Sequence, residues 1–373
     1  MEKIKFDRRT PYNDLPLLPP NNDIENNPII LKRLVSASRA LATVNGNLNR
    51  LPNPLMLINT LALQEAKTST EIENIFTTED ELYKAISDKH KESIANPSTK
   101  EVLKYREALW AGFKELQVKK KIDAQLIKEI FNQIKETTSG YRPPQAQVVI
   151  KRGDSEFRSG EIIYTPPRAE GVINALMGNL IEYYNNDDLY PADPLLKMCV
   201  GHYQFEAIHP FQDGNGRTGR ILNLLYLFSK GLLCQPVLYM SKFIILNKED
   251  YYYNLGAVTQ RNSWETWIEF MLEATEKTSV LTNARINEIL SQMASTLEYA
   301  KGKIRWYNKE INEAIFSQPY IKPFIIGEIL GKTSRTTLTK YMNELVNNRI
   351  LRPKKDGNEV YYINDDLIRI LEG

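Results

Sequence analysis

The residues best suited to chemistry lie together in one segment, HPFQDGNGRTGR, running from His209 to Arg220. Gly214, Asn215 and Gly216 stand immediately before the run RTGRILNLLYLF, whose apolar spacing predicts a helix. Their backbone N–H groups are therefore expected to face outward at a helix N-terminus, which is an anion site. Glycine lets a phosphate approach the backbone closely. Arg217 and Arg220, with Thr218 and Gly219 between them, share one helical face and offer forked donors to further phosphate charge. Asp213 supplies the hard oxygen that Mg²⁺ or Mn²⁺ takes beside substrate phosphates. His209, with an ordinary pKa of about 6.5, suits a general base near neutral pH. Pro210 and Phe211 are expected to fix the turn, the ring going inward and the imidazole outward. A lone GNG would be a simple interhelical turn with solvated arginines. Base, apolar anchor, acid, glycine turn and two arginines in one short segment instead point to a polyphosphate and an activated attacking group.

This segment matches the signature HxFx(D/E)GNGRxxR of the Fic family at every defined position, and the preceding FEAI, Phe205 to Ile208, is typical of the family. The chain therefore resembles a Fic-domain protein adenylyltransferase over roughly residues 10 to 300. By that resemblance His209 activates a target hydroxyl on Tyr, Ser or Thr, which attacks the α-phosphate of ATP. Asp213 holds the metal, residues 214 to 220 hold the phosphates, and pyrophosphate leaves. Doc-type kinases of the same superfamily carry lysine at the second signature glycine, so Gly216 favours AMP transfer over phosphorylation. Transfer of UMP or phosphocholine stays open.

Three further segments take meaning from the resemblance. In TSTEIENIF, Ser69 is a helix N-cap candidate, and Glu73 lies one turn on, followed by Asn74. Ser69, Glu73 and Asn74 resemble the family's inhibitory motif (S/T)xxxE(G/N). The resemblance implies an inhibitory helix over 69–75 whose Glu73 pairs with Arg220 and obstructs the γ-phosphate. In some relatives the same glutamate supports removal of AMP, and that mode stays open. GEIIYTPP, with Gly160, Glu161, Ile162 and Ile163, reads as the second strand of a β-hairpin and resembles the family's flap, which pairs with a target segment by strand addition. Tyr251 and Tyr252 correspond in position to tyrosines that contact adenine in relatives.

The elements that must position these groups are mainly helical. Apolar periodicity predicts helices from Pro28 to about Asn45, Pro54 to Ala66, Ser69 to about Ile75, Thr78 to Ser87, Ser98 to Leu116 and Asp123 to Thr137. After the hairpin, further helices are expected over Gly171 to Tyr184, Pro194 to Ile208, Asn215 to Gly231 and Lys248 to Arg261, with a long one from the WETWIEF segment to about Ala300. The first twenty or so residues, rich in proline and asparagine, read as an extended arm laid over a surface. From Pro319 the pattern is helix, turn at Gly331 to Thr333, helix from Ser334 to Asn347, and two strands about Asp356-Gly357, a winged helix-turn-helix. Its second helix offers Lys332, Ser334, Arg335, Thr336 and Lys340, and its wing Arg352, Lys354 and Lys355. Glu344, Asp356, Glu359, Asp365 and Asp366 dilute that basic surface, so DNA and a docked protein or second copy both remain as partners.

The fold class expected is thus mainly α: a Fic helical core with a β-hairpin flap, an N-terminal helical segment and a C-terminal winged helix. The domains expected are 1–100, 101–275, a helical linker 276–318, and 319–373. Formal charge is +2, from 48 basic and 46 acidic residues, so bulk electrostatics neither demand nor exclude nucleic acid. The N-terminus lacks the unbroken apolar core of a signal peptide, and no apolar run approaches the roughly 20 residues that span a bilayer. A cytoplasmic protein is expected, without membrane contact and as a homodimer that modifies itself. Its rival is an ATP-sensing DNA-binding regulator, which would need the glycine turn and arginines but no general base. Cys199 and Cys234 read as buried thiols.

Overall fold

The computed structural model describes residues 6–49, 51, 54–152, 160–332 and 334–373. The chain first forms helices α1 (Pro28–Leu48), α2 (Pro54–Ile72), α3 (Glu79–Ser87), α4 (Lys89–Ile94), α5 (Pro97–Lys119) and α6 (Ala124–Lys135). Strands β1 (Ile150–Arg152) and β2 (Glu161–Tyr164) precede α7 (Val172–Asn185), α8 (Pro194–Ile208), α9 (Asn215–Ser229), α10 (Met240–Leu246), α11 (Lys248–Arg261) and α12 (Trp264–Lys301). The C-terminal part comprises α13 (Lys309–Ser317), β3 (Tyr320–Ile321), α14 (Pro323–Leu330), α15 (Arg335–Asn347), β4 (Arg352–Asp356), β5 (Glu359–Ile363) and α16 (Asp365–Glu372). Among the described residues no helix is long and apolar enough to cross a membrane.

The architecture is mostly helical with two small antiparallel sheets, as the periodicity predicts. One boundary differs in a way that matters. Residues 54–72 form a single helix, so Ser69 is an interior residue, fully buried, and not an N-cap. No glycine or proline interrupts Ala66 to Ile72, and Thr70 satisfies its hydroxyl without breaking the helix. Thr70 Oγ1 donates back to the carbonyls of Ala66 and Lys67, at 3.1 and 2.8 Å. The helix stops at Ile72, and Asn74 takes a left-handed conformation with φ of 63°. Glycine and asparagine are the residues that adopt it at least cost. The short elements α4, α10 and β3 were not expected from the sequence, nor was α16, although Asn364 caps it and Leu367, Ile370 and Leu371 share its buried face. Cys199 is fully buried as expected, whereas Cys234, beyond the end of α9, is only half-buried. The turn expected at Gly331 to Thr333 ends on a residue outside those described.

Two compact units emerge, each assembled from separate parts of the chain. The first comprises Met1–Ala42, Lys104–Pro236 and Met240–Ser279. Its centre is α8, where every residue from Leu195 to Ile208 is buried, so this helix is core on all sides and packs against α7 and α9. The indole of Trp267 donates to the carbonyl of Cys199 at 2.8 Å, tying α12 to α8. Phe211 is fully buried, its ring stacked on Phe131 of α6 at 3.9 Å between centroids.

The second unit comprises Thr43–Leu103, Val237–Tyr239 and Val280–Gly373. Its sheet has the order β3-β5-β4, with α14 and α15 meeting at Gly331. A ring of ion pairs joins this sheet to α3 and α4. Asp80 contacts Lys354 and Lys84, Lys84 also reaches Asp356 at 3.0 Å, and Lys91 approaches Glu359 at 3.5 Å. Glu359 also accepts from Lys322 at 2.8 Å. Lys354, one of the basic residues that the wing was expected to offer to DNA or to a docked protein, is therefore engaged by Asp80, and Arg352 is held by Asp365 at 2.6 Å. Lys332, Ser334, Arg335, Thr336, Lys340 and Lys355 are exposed.

Candidate active site

The signature turn joins α8 to α9 within the first unit. His209 is the residue after α8 and takes φ 49° and ψ 60°, its N–H donating to the carbonyl of Phe205 at 2.9 Å. This left-handed step breaks the helix and turns the imidazole away from the core that the rest of α8 fills. Its Nδ1 lies 3.2 Å from the carbonyl of Glu206. A carbonyl only accepts, so the contact places the proton on Nδ1 and the basic lone pair on Nε2, the tautomer a general base needs. His202, two turns earlier, is fully buried and meets the Tyr251 hydroxyl at 2.9 Å. Burial, aided by the charge of Arg220, pushes its pKa down to about 3, so it is a neutral core residue.

Side chains rather than chance hold the turn. Asn215 closes it with two bonds to Phe211, accepting from the backbone N–H at 2.8 Å and donating to the carbonyl at 2.9 Å. Thr218 Oγ1 donates to the carbonyl of Gly214 at 2.9 Å. These two side chains are thus internal locks, and any contact they make with an anion would come from the backbone. Gly214 has φ of +74° and Gly216 follows in the first turn of α9. Gly219 allows close approach of α8 and α9, since a Cβ there would come within 2.5 Å of Glu206 Oε1. Arg217 and Arg220 are almost entirely buried, at 1% and 3% exposure.

Asp213 is exposed at the mouth of the turn. Its Oδ2 accepts from Lys135 Nζ at 2.6 Å and its Oδ1 from the Gly214 N–H at 2.7 Å. Burial alone would raise its pKa, but Lys135, that N–H and Arg217 outweigh it and hold the carboxyl below its ordinary value. Among the described residues no three His, Cys, Asp or Glu side chains gather into a closed metal cage. An ionised, accessible carboxylate beside an anion site nevertheless fits a Mg²⁺ ion completed by phosphates and water. Sequence reasoning missed both Lys135 and Arg142. The buried Arg142 guanidinium donates to the carbonyls of His209 at 2.7 Å, Pro167 at 2.6 Å and Ile208 at 3.2 Å, which pins the hairpin's exit to the base of the turn. An arginine just before two prolines, outside any periodic segment, was the available signal.

Beside the turn lies a cavity of about 250 Å³. β2 forms one side through Glu161 and Ile163, α8 another through Glu206, and α11 a third through Tyr252 and Gly256. Register pairs Lys151 with Ile162 and Arg152 with Glu161, while Gly160 precedes the strand. Tyr251, expected beside Tyr252 at the adenine, is instead 2% exposed and packs in the core against Trp267 and Phe270. The next two residues along α11, Tyr252 and Tyr253, line the cavity. Ser69, Glu73 and Asn74 belong to the second unit.

Three successive stretches match known sequence families. Residues 31–114 match the Fic/DOC family N-terminal region, 116–227 the Fic/DOC family itself, and 291–367 the C-terminal domain of SoFic-like protein adenylyltransferases. The chain belongs to the Fic/DOC family. Relatives in this family include protein adenylyltransferase Fic of Drosophila erecta, 28% identical over 162 residues that make up 43% of this chain and 31% of that protein. Protein adenylyltransferase fic-1 of Caenorhabditis briggsae is 34% identical over 68 residues, 18% of this chain and 13% of its own. The chain thus spans about a third or less of the length of these Fic proteins. A Fic family protein of Desulfovibrio desulfuricans shares the fold at a TM-score of 0.58 and 21% identity, over 93% of this chain and 98% of that one. Fic-1 from C. elegans does so at 0.52 and 16%, over 72% and 75%.

Proposed function

We propose that this Fic protein transfers AMP from ATP to a Tyr, Ser or Thr hydroxyl of a target protein, and that Glu73 restrains it. The observation that carries the reading is the complete signature folded as one braced turn, with His209 in the Nδ1–H tautomer beside the N-terminus of α9. His209 Nε2 takes the proton as the target oxygen attacks the α-phosphate, the bond from the α-phosphate to pyrophosphate breaks, and pyrophosphate departs. The backbone of 214–216 with Arg217 and Arg220 supports the charge that develops. Asp213 would hold Mg²⁺ or Mn²⁺, which supplies further neutralisation of phosphate charge. The base is assigned to the cavity beside β2, and the hairpin to a target segment added as a further strand.

Autoinhibition rests on the motif Ser69-x-x-x-Glu73-Asn74, whose last position is the left-handed residue that explains a Gly or Asn requirement there. Pairing of Glu73 with Arg220 would withdraw a phosphate-binding guanidinium. The helix pair α14–α15 with its sheet, read as a winged helix, is assigned to target choice. Intact-protein mass spectrometry after incubation with ATP and Mg²⁺ tests the reading. Glu73→Gly should accumulate AMP adducts on itself or on supplied proteins faster than the native chain, and an unchanged or lower rate in that variant would sink the inhibitory role.

A further inference from the structure

The cavity beside β2 has a wall that neither the signature nor the hairpin supplies. Phe6 and Arg8, from the arm that precedes α1, both line it. The arm is fixed at several points along its length. Tyr12 donates its N–H to the carbonyl of Thr165 at 3.0 Å, and Thr165 Oγ1 donates to the carbonyl of Arg8 at 2.7 Å. Asn13 Oδ1 accepts from the N–H groups of Arg168 and Ala169, at 2.9 and 3.2 Å. Farther along, Leu18 exchanges two bonds with the Asn179 amide, and Gln204 donates to the carbonyl of Pro16 at 2.8 Å. Phe6, Tyr12 and Tyr164 form one aromatic cluster, with Phe6 lying nearly parallel to Tyr164 at 6.2 Å.

These contacts do more than tidy a terminus. Strands of three and four residues are too short to hold a hairpin's shape unaided. The arm runs against the end of β2 and braces it where it borders the cavity. Arg8 pairs with Glu161 of β2, and both side chains are at least half exposed. Such a pair contributes little to stability, so its position at the cavity rim is the more informative fact.

We propose that the N-terminal arm forms the base end of the nucleotide site, Phe6 giving the purine an apolar face and Arg8, held by Glu161, a donor at its polar rim. The inference rests on the reading of this cavity as the seat of the ATP base. It makes Phe6 and Arg8 specificity residues, remote from the phosphates. An aromatic wall of this kind is typically worth about fivefold to tenfold in affinity.

Calorimetric titration with ATP, in the Glu73→Gly background, tests it with Phe6→Ala and Arg8→Ala, alongside the thermal midpoint of each variant. Phe6→Ala should weaken ATP binding by about fivefold to tenfold and Arg8→Ala by about threefold, with midpoints within a degree or two of the parent. Unchanged affinity in both variants overturns the inference while leaving the proposed function standing. A loss of affinity that only accompanies a large drop in midpoint overturns it too, since the arm is then a structural brace alone. Failure of the parent to bind ATP removes the proposed function and this inference together.

Discussion

α9 and α15 both carry arginine in their first turn and present it in opposite ways. α9 follows a left-handed glycine and buries Arg217 and Arg220. α15 follows Ser334, whose side chain caps nothing, and leaves Arg335, Thr336 and Lys340 in solvent. Near it, Lys354 and Arg352 are already matched by Asp80 and Asp365. A guanidinium withdrawn from water is costly unless negative charge or acceptors face it, so a fold that buries two at a helix N-terminus has to surround them with such groups. Exposed arginines commit it to nothing. The same residue types thus carry different information, and burial with a braced turn is what separates an organised turn from a solvated basic face.

The contrast can be broken most sharply at Arg220. In the Glu73→Gly background, Arg220→Ala should cost about 1.5–3 kcal/mol of ATP binding, roughly tenfold to a hundredfold, measured by calorimetry. Gly214→Ala should have a smaller effect on the same turn. An alanine at φ of +74° is strained by about 1–2 kcal/mol, and its Cβ would press on Lys135 Cδ at 3.3 Å. A lowered thermal midpoint and weaker ATP binding are expected together.

The second unit should answer to pH instead. Burial, together with the neighbouring carboxyl of Glu372, raises Glu79 from 4.5 to about 7. A raised folded pKa gives stability that is fully present below the unfolded value and is lost as pH rises through the folded one. Thermal midpoints should therefore carry a falling contribution between about 4.5 and 7, and Glu372→Gln should flatten it. Glu359 has the opposite sign. The Lys322 ammonium holds it at about 2, so its contribution is present above 4.5 and is lost as pH falls from there to about 2. The smallest effect belongs to Arg335→Ala, which should leave ATP binding unchanged and stability within about 0.5 kcal/mol.

The turn was legible because its geometry is local: Gly214, Asn215 and Phe211 act within five residues, and a helix start with glycine before it needs no distant partner. The amphipathic helices came from periodicity for the same reason, as at Ala124–Lys135. What was not legible depends on tertiary context. Ser69 could be an N-cap or a helix interior, and only the unbroken packing of α2 decides. Tyr251 and Tyr252 are equivalent in composition, yet one faces Trp267 and the other the cavity. Lys135 meets Asp213, and Phe6 meets Tyr164, across separations that no periodicity encodes. β3 is two residues long and exists only because β5 is beside it.

If His209 serves as the proposed base, it directs AMP, and not the γ-phosphoryl group, onto protein. The Glu73→Gly chain, with and without His209→Ala, would be incubated in Mg²⁺ with ATP labelled at either the α- or the γ-phosphate, alone and with added cell protein. Protein-bound label is expected from the α-position only, falling by about 10²- to 10⁴-fold in the His209 variant. Label from the γ-position, undiminished label without His209, or none from either position would contradict it.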